Sequence, residues 1–233
     1  NKMKTNKIKI FYDGASVSEY ITEDNVVGVT TNTGFLKKAQ VEDYDSFIKE
    51  SLAVVGDKPI SFQVFSDDPD EIYEKAKKIS SYGDNVYVKV PVVLPNGESA
   101  VSVAKRLSDE GVNVNITCVY TVAQISEIFD ADFHNNIIVS VFCGRIADCG
   151  IDASAIISYA VQLFRKFPHV EILWAGCQRV LDVVTAEQLG VHIVTVPEGV
   201  LTKLNRLGND IHEFSVKTSY DFWKDGQNLK LNG

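Results

Sequence analysis

Eight short apolar runs recur along the chain, and a helix-length amphipathic segment follows nearly every one. The runs cover residues 8–12, 26–30, 60–64, 86–90, 112–117, 137–142, 171–174 and 191–195. Residues 68–80, 99–110, 121–129, 153–167, 179–189 and 197–207 place Val, Ile, Leu and Ala at helical spacing, and 210–224 reads as one further helix. Helix starts agree: Ser66-Asp67-Asp68-Pro69 precedes one segment and Pro197 opens another. Strands alternating with helices predict parallel βαβ units, and near-continuous apolar strands are those covered on both faces. Eight of them suit a closed (β/α)8 barrel, the TIM barrel, better than an open doubly wound sheet. An open sheet would cradle phosphates in a Gly-rich first turn. Here that turn reads Tyr12-Asp13-Gly14-Ala15-Ser16, not G-x-G-x-x-G.

No Pro/Gly/Ser linker or repeat divides the 233 residues, so one domain is expected over 1–233, with the barrel at 8–207 and a C-terminal helix and tail at 208–233. A chain this long buries about 70–75% of its unfolded surface. The net charge of −8, with acids and bases interspersed, argues against a nucleic acid or an anionic membrane as partner. No apolar run approaches the roughly 18 residues of a membrane helix. The opening residues 1–6 are polar rather than a charged-then-apolar leader, and a frayed end is expected there. Cys118, Cys143, Cys149 and Cys177 show no C-x-x-C spacing, which predicts free thiols in a reducing cytoplasm.

In such a barrel chemistry gathers where strands end and βα loops begin. Lys89 interrupts the apolar run of Val86, Val88 and Val90, and period-two alternation puts it on the opposite face. A lysine held inside a barrel loses proton affinity, and a neutral amine can attack a ketone to form an imine. The competing reading is a strand-end lysine snorkelling to water. Asp13 could be a general base for a substrate hydroxyl, or a turn aspartate capping the next helix, which is commoner before Gly. Thr30, Thr31 and Asn32 could orient sugar hydroxyls or form an Asx-type cap. Gln63 and Thr117 could hold a water or satisfy interior polar groups. Arg145 could pair with a substrate anion or with Asp148. Asn115 and Ser140 end the fifth and sixth strands. Singly each is open; at one end of successive strands they describe one site. His134, His169, His192 and His212 lack metal-ligand spacing and read as surface or core residues. Cys143 and Cys177 read as barrel filling, and Phe222 and Trp223 as packing or oligomer contacts.

Gly28-Val29-Thr30-Thr31-Asn32 resembles the second-strand motif of class I transaldolases and the related fructose-6-phosphate aldolases, and Val88-Lys89-Val90-Pro91 resembles their Schiff-base strand. Asn115-Ile116-Thr117 with Gln124, Phe142-Cys143-Gly144-Arg145-Ile146-Ala147-Asp148 and Thr195-Val196-Pro197 resemble the fifth-, sixth- and eighth-strand motifs. The resemblance spans about residues 8 to 207. It implies metal-independent Schiff-base chemistry without a cofactor, moving a dihydroxyacetone unit from a ketose to an aldehyde. Lys89 would be the nucleophile and Asp13 the base at the C4 hydroxyl. Asn32 and Asn115 would bind hydroxyls and Ser140 the C1 end, while Thr117 and Gln63 would place a catalytic water. Small relatives commonly assemble as pentamers or decamers through the C-terminal helix.

The departures from the family pattern are as informative. Gln63 stands where transaldolases carry Glu, and Phe142 where the aldolases carry Tyr, a pairing that favours transfer over simple cleavage. The seventh strand usually ends in Ala-Ser-x-Arg, whose Ser and basic residue grip a phosphate. This chain reads Trp174-Ala175-Gly176-Cys177-Gln178-Arg179, and Arg179, shifted by one position, should point to the other face. Thr33-Gly34 replaces the usual Pro-Ser. Neutral donors (the Gln178 amide, the Gly176 N–H, the Trp174 indole) with Arg145 would suit a monoanionic sulfonate. On that ground the chain resembles the branch that handles 6-deoxy-6-sulfofructose in bacterial sulfoquinovose breakdown. The substrate partner is then a sugar sulfonate or sugar phosphate. Gly176→Ser with Gln178→Arg should shift preference toward phosphorylated ketoses.

Overall fold

The computed structural model describes residues 8–232, so the expected frayed end at 1–6 lies outside the described residues. The eight strands are β1 (Lys9–Asp13), β2 (Val26–Thr30), β3 (Ile60–Gln63) and β4 (Val86–Pro91), then β5 (Asn113–Val119), β6 (Ile137–Val141), β7 (Val170–Trp174) and β8 (Ile193–Pro197). Each pairs in parallel with the next and β8 pairs with β1, which closes the (β/α)8 barrel predicted from the alternation.

Helices cover the outside. From β3 onward they fall close to expectation: α4 (Pro69–Ser80), α5 (Val101–Asp109), α6 (Val122–Asp130), α8 (Ser154–Leu163), α9 (Val180–Gln188) and, after the barrel, α11 (Ile211–Asp225). The Asp68 carboxylate caps α4 by accepting from Glu71 N, with Pro69 in the first turn. The segment expected as one helix at 197–207 breaks into α10 (Glu198–Leu201) and a 3₁₀ turn at Leu204–Arg206; Gly199 weakens it, and the Thr202 hydroxyl donates back to Glu198 O. Four helices are additional: α1 (Val17–Tyr20), α2 (Thr33–Lys38), α3 (Tyr44–Val55) and α7 (Cys143–Asp148). Among the described residues no helix is long and apolar enough to cross a membrane.

Alternation splits the core into two layers. Outward-facing Val29, Ile60, Phe62, Val88, Ile116, Val139, Ile172 and Val194 pack under the helices. The barrel axis holds a separate cluster of Phe11, Ile138, Leu173, Ala175 and Ile193, with Tyr87 and Phe142 against it. Gly28 makes room for the Phe11 ring, since a Cβ there would lie 2.6 Å from it. This apolar plug fills the middle of the barrel and leaves the C-terminal ends of the strands to polar side chains.

Candidate active site

Above the plug, Tyr87 and Lys89 take the inner face of β4 because Val86, Val88 and Val90 take the outer one. Lys89 is 6% exposed, and its Nζ donates to the Thr31 carbonyl at 3.0 Å. Register places Gln63, Lys89 and Asn115 side by side on β3, β4 and β5. Burial pushes the Lys89 amine below its ordinary value, while Asp13 and Cys118 nearby draw it back up. Asp13, ending β1, shows the complement: burial raises its carboxyl, and Lys89 and a hydrogen bond from Thr30 oppose the rise. Water exclusion therefore pushes both groups toward neutrality, and each draws the other back toward charge.

Thr30 Oγ1 donates to Asp13 Oδ1 at 3.0 Å and also contacts Thr195 Oγ1. On the far side a second network runs from Ser140 Oγ to Asn115 Oδ1 (2.7 Å) and from Asn115 Nδ2 to Ser61 Oγ (3.1 Å). Ser61 and Thr195 were not among the sequence candidates. Thr117 is buried, and its hydroxyl has no hydrogen-bond partner among the described residues. Gln63 is half-buried at the end of β3, and its carbonyl accepts from the Tyr44 hydroxyl at 2.9 Å. Asn32 takes the cap alternative: its Oδ1 accepts from Phe35 N at 2.9 Å and starts α2. Thr31 donates to the Ser61 carbonyl.

The end of β5 carries an irregularity unseen in the sequence. Pairing with β6 shifts between Ile116 and Val119, and Cys118 sits at φ +62°, a left-handed conformation costly for a residue with a Cβ. Its half-buried thiol feels Lys89 and Arg145, so Cys118 is the cysteine at the barrel mouth. Cys143 and Cys177 lie instead in the layer between sheet and helices, not in the barrel. Burial raises both thiols, that of Cys177 to about 12. Tyr120 packs its ring on Phe142 at 5.6 Å and lies beside Arg145. Arg145 is exposed on α7 and makes no ion pair among the described residues; Asp148 accepts from Gln178 instead.

The seventh-strand loop differs from the expected arrangement in three ways. Trp174 packs in the outer layer, because Leu173 and Ala175 take the barrel side, and its indole N–H is buried without a partner. It lines a separate pocket of about 320 Å³ with Ser154, Asp182 and Thr185, so it is not placed to donate to a ligand inside the barrel. The Gln178 amide is directed toward Gly144 O and Asp148 at 3.3–3.4 Å, and its backbone N–H is bound by Asp182. Arg179 starts α9 paired with that same Asp182; it lies beyond the end of β7, so helix capping and not the strand alternation expected from the one-residue shift sets its direction. Gly176 sits at φ +74° with its backbone against Gly144: a Cβ on Gly144 would lie 2.1 Å from Gly176 O. Gly176→Ser is therefore not a clean graft of a phosphate-binding hydroxyl. It forces a left-handed residue, its Cβ 3.0 Å from the Gly144 backbone. The expected cost of about 1–3 kcal/mol should lower Tm by roughly 2–12 °C, and an unchanged thermal melt would contradict it.

Two of the four histidines serve structure, while His134 and His212 are exposed. His169 Nε2 bonds Phe133 O at 2.7 Å, and His192 Nδ1 accepts from Ile172 N at 2.9 Å, burial holding its imidazole below the ordinary value. Among the described residues no three His, Cys, Asp or Glu side chains gather as a metal site would require.

Comparison with known proteins bears on the family. The family model described as transaldolase/fructose-6-phosphate aldolase matches residues 5–232. A "Probable transaldolase" of Nitrosopumilus maritimus is 32% identical over 230 residues, covering 96% of either chain. Another from Thermoanaerobacter sp. is 34% identical over 204 residues, 84% of this chain and 89% of its own. Among solved structures, a "putative phosphonomutase" from Burkholderia cenocepacia superposes with a TM-score of 0.54 at 13% identity over 95% of each chain, a likeness of fold alone. With a matching family model over nearly the whole length, and relatives that share a third of its residues, the chain belongs to the transaldolase/fructose-6-phosphate aldolase family of enzymes.

Proposed function

We propose that the chain is a Schiff-base transaldolase for a ketose bearing a monoanion at C6, 6-deoxy-6-sulfofructose, releasing 3-sulfolactaldehyde and passing the dihydroxyacetone unit to glyceraldehyde 3-phosphate. The observation that carries the mechanism is Lys89 buried on the inner face of β4 with its Nζ on the Thr31 carbonyl, where burial lowers its proton affinity and Asp13 is near enough to oppose the shift. Lys89 Nζ attacks the C2 carbonyl, and loss of water leaves an iminium. Asp13 takes the C4 hydroxyl proton, the C3–C4 electrons flow into the iminium, and the aldehyde departs from an enamine. The enamine then attacks the acceptor's carbonyl carbon, the new alkoxide takes the proton back from Asp13, and water releases the amine. Thr30, Asn115 and Ser140 are the hydroxyl partners, and Thr117 offers its free hydroxyl to the water beside Gln63. A Phe at 142 supplies no proton to the enamine, which favours transfer to an aldehyde.

Support for a sulfonate comes from the anion end. Gln178 is occupied by Gly144 and Asp148, and Arg179 by Asp182. That leaves Arg145 as the cation there, and one charge matches a monoanion better than a phosphate carrying about −1.5 to −2. Borohydride trapping read by intact mass, with 6-deoxy-6-sulfofructose and fructose 6-phosphate in parallel, tests the assignment. A sulfofructose-dependent adduct supports it. Trapping from fructose 6-phosphate alone returns the chain to ordinary transaldolase or aldolase chemistry. No adduct from either substrate points to a sugar-binding barrel without turnover.

The same reading includes a homo-oligomer, a pentamer or decamer by family resemblance. α11 buries none of its residues, and Ile211, Val216, Tyr220, Phe222 and Trp223 are all more than half exposed. A monomer rarely leaves so many large apolar side chains of one helix uncovered. Phe222→Ser with Trp223→Ser should shift the solution mass, measured by light scattering, to that of one chain. A wild-type protein that is already monomeric removes this part of the proposal.

A further inference from the structure

β2 and β8 flank β1, and each sends a threonine hydroxyl inward. Thr30 lies opposite Asp13 in the β1–β2 register, and Thr195 lies opposite Phe11 in the β1–β8 register. Both are 2% exposed, and their Oγ1 atoms are in hydrogen-bond contact. Thr30 has one hydroxyl proton, and it is given to Asp13 Oδ1. In the second contact Thr30 can only accept, so the Thr195 hydroxyl donates. The chain thus has a direction, from Thr195 to Thr30 to the carboxylate, and a hydroxyl that accepts a hydrogen bond becomes a stronger donor.

We infer that Thr195 is a positioning residue: its hydroxyl holds Thr30 as a donor to Asp13 and so keeps the carboxylate aimed and ready to accept a proton. This rests on Asp13 acting as the base in the reading above. Other titratable groups facing Asp13 leave this relay a clear part. Lys89 from β4 favours the anion, while Tyr12 on β1 and Cys177 after β7 stay neutral near pH 7, both raised by burial. Apart from Lys89, only the Thr30 hydroxyl opposes the burial that pushes Asp13 toward its protonated form.

The test is the pH profile of kcat/KM, with fructose 6-phosphate or 6-deoxy-6-sulfofructose as donor, for Thr195→Val, which exchanges hydroxyl for methyl at nearly constant shape, and for Thr195→Ser. The valine variant should move the acid limb up by a few tenths of a pH unit and so lose rate about twofold below the limb. The serine variant should restore the wild-type profile. A rate that falls equally at every pH, or a serine variant as impaired as valine, marks a packing role and overturns the inference. So does a valine profile identical to wild type. Asp13→Asn separates the two levels. If it still turns over with an unchanged acid limb, the assignment of Asp13 has failed; if it is inactive while valine leaves the limb in place, only the relay has.

Discussion

Lys89→Ala abolishes borohydride-trapped adduct and lowers turnover by roughly 10⁴-fold or more, the loss expected when a covalent route is removed. Position makes the effect specific. Val86, Val88 and Val90 face the helices, so the substitution deletes an inward side chain without disturbing the packed outer layer. Lys89→Met, which refills the space, should give an inactive but more heat-stable protein. The sign follows from linkage. The folded-state amine lies below its ordinary value because burial disfavours the ammonium, so the unfolded chain binds the proton more tightly. Its destabilisation is fully present below the folded-state value, fades as pH rises from there, and is gone above that of an ordinary lysine. The stability gain of Lys89→Met should therefore be largest at neutral and mildly acid pH and should close on the alkaline side. A melting temperature for Lys89→Met at or below wild type at pH 7 would contradict a depressed amine. An adduct that persists in Lys89→Ala would move the nucleophile elsewhere.

Asp13→Asn separates base from nucleophile. Turnover should fall by about 10²–10⁴-fold, the range for removing one general base, while the lysine adduct still traps, because imine formation does not use the C4 proton. Burial raises the Asp13 carboxyl above the ordinary carboxylate range despite Lys89 and Thr30. The acid limb of wild-type activity should accordingly lie above that range, and the asparagine variant should lack it. Equal loss of trapping and turnover would show that Asp13 builds the site rather than moving its proton.

The barrel was legible because its strands are apolar on both faces and spaced by crossovers, a pattern few other folds share. Lys89 was legible for a related reason: a charge inside a run of valines has an inward face to occupy. α1 and α2, at four and six residues, are too short for helical periodicity to register. α3 did carry a signal, with Asp43 as cap and Tyr44, Phe47, Ile48, Ser51 and Val55 on one side. Ser61 and Thr195 could have been found by counting in steps of two from Gln63 and Pro197. Small polar residues in apolar strands draw little notice without that phase. Trp174 falls within the seventh run, and the same alternation, with Leu173 and Ala175 on the barrel side, places its indole outside. Nothing in residue type announces the bend at Cys118, since a left-handed cysteine is imposed by its neighbours and not by its own preference.

The two touching glycines set the order in which this loop can change. Gly144 leaves no room for a side chain because the Gly176 carbonyl lies beneath it, and Gly176 is closely limited by the Gly144 backbone. The two positions are thus epistatic: substitution at either is penalised while the other loop keeps its course. A lineage carrying this loop would reach a serine grip only after the backbone had first moved, so donor preference here would drift through loop geometry before side-chain chemistry.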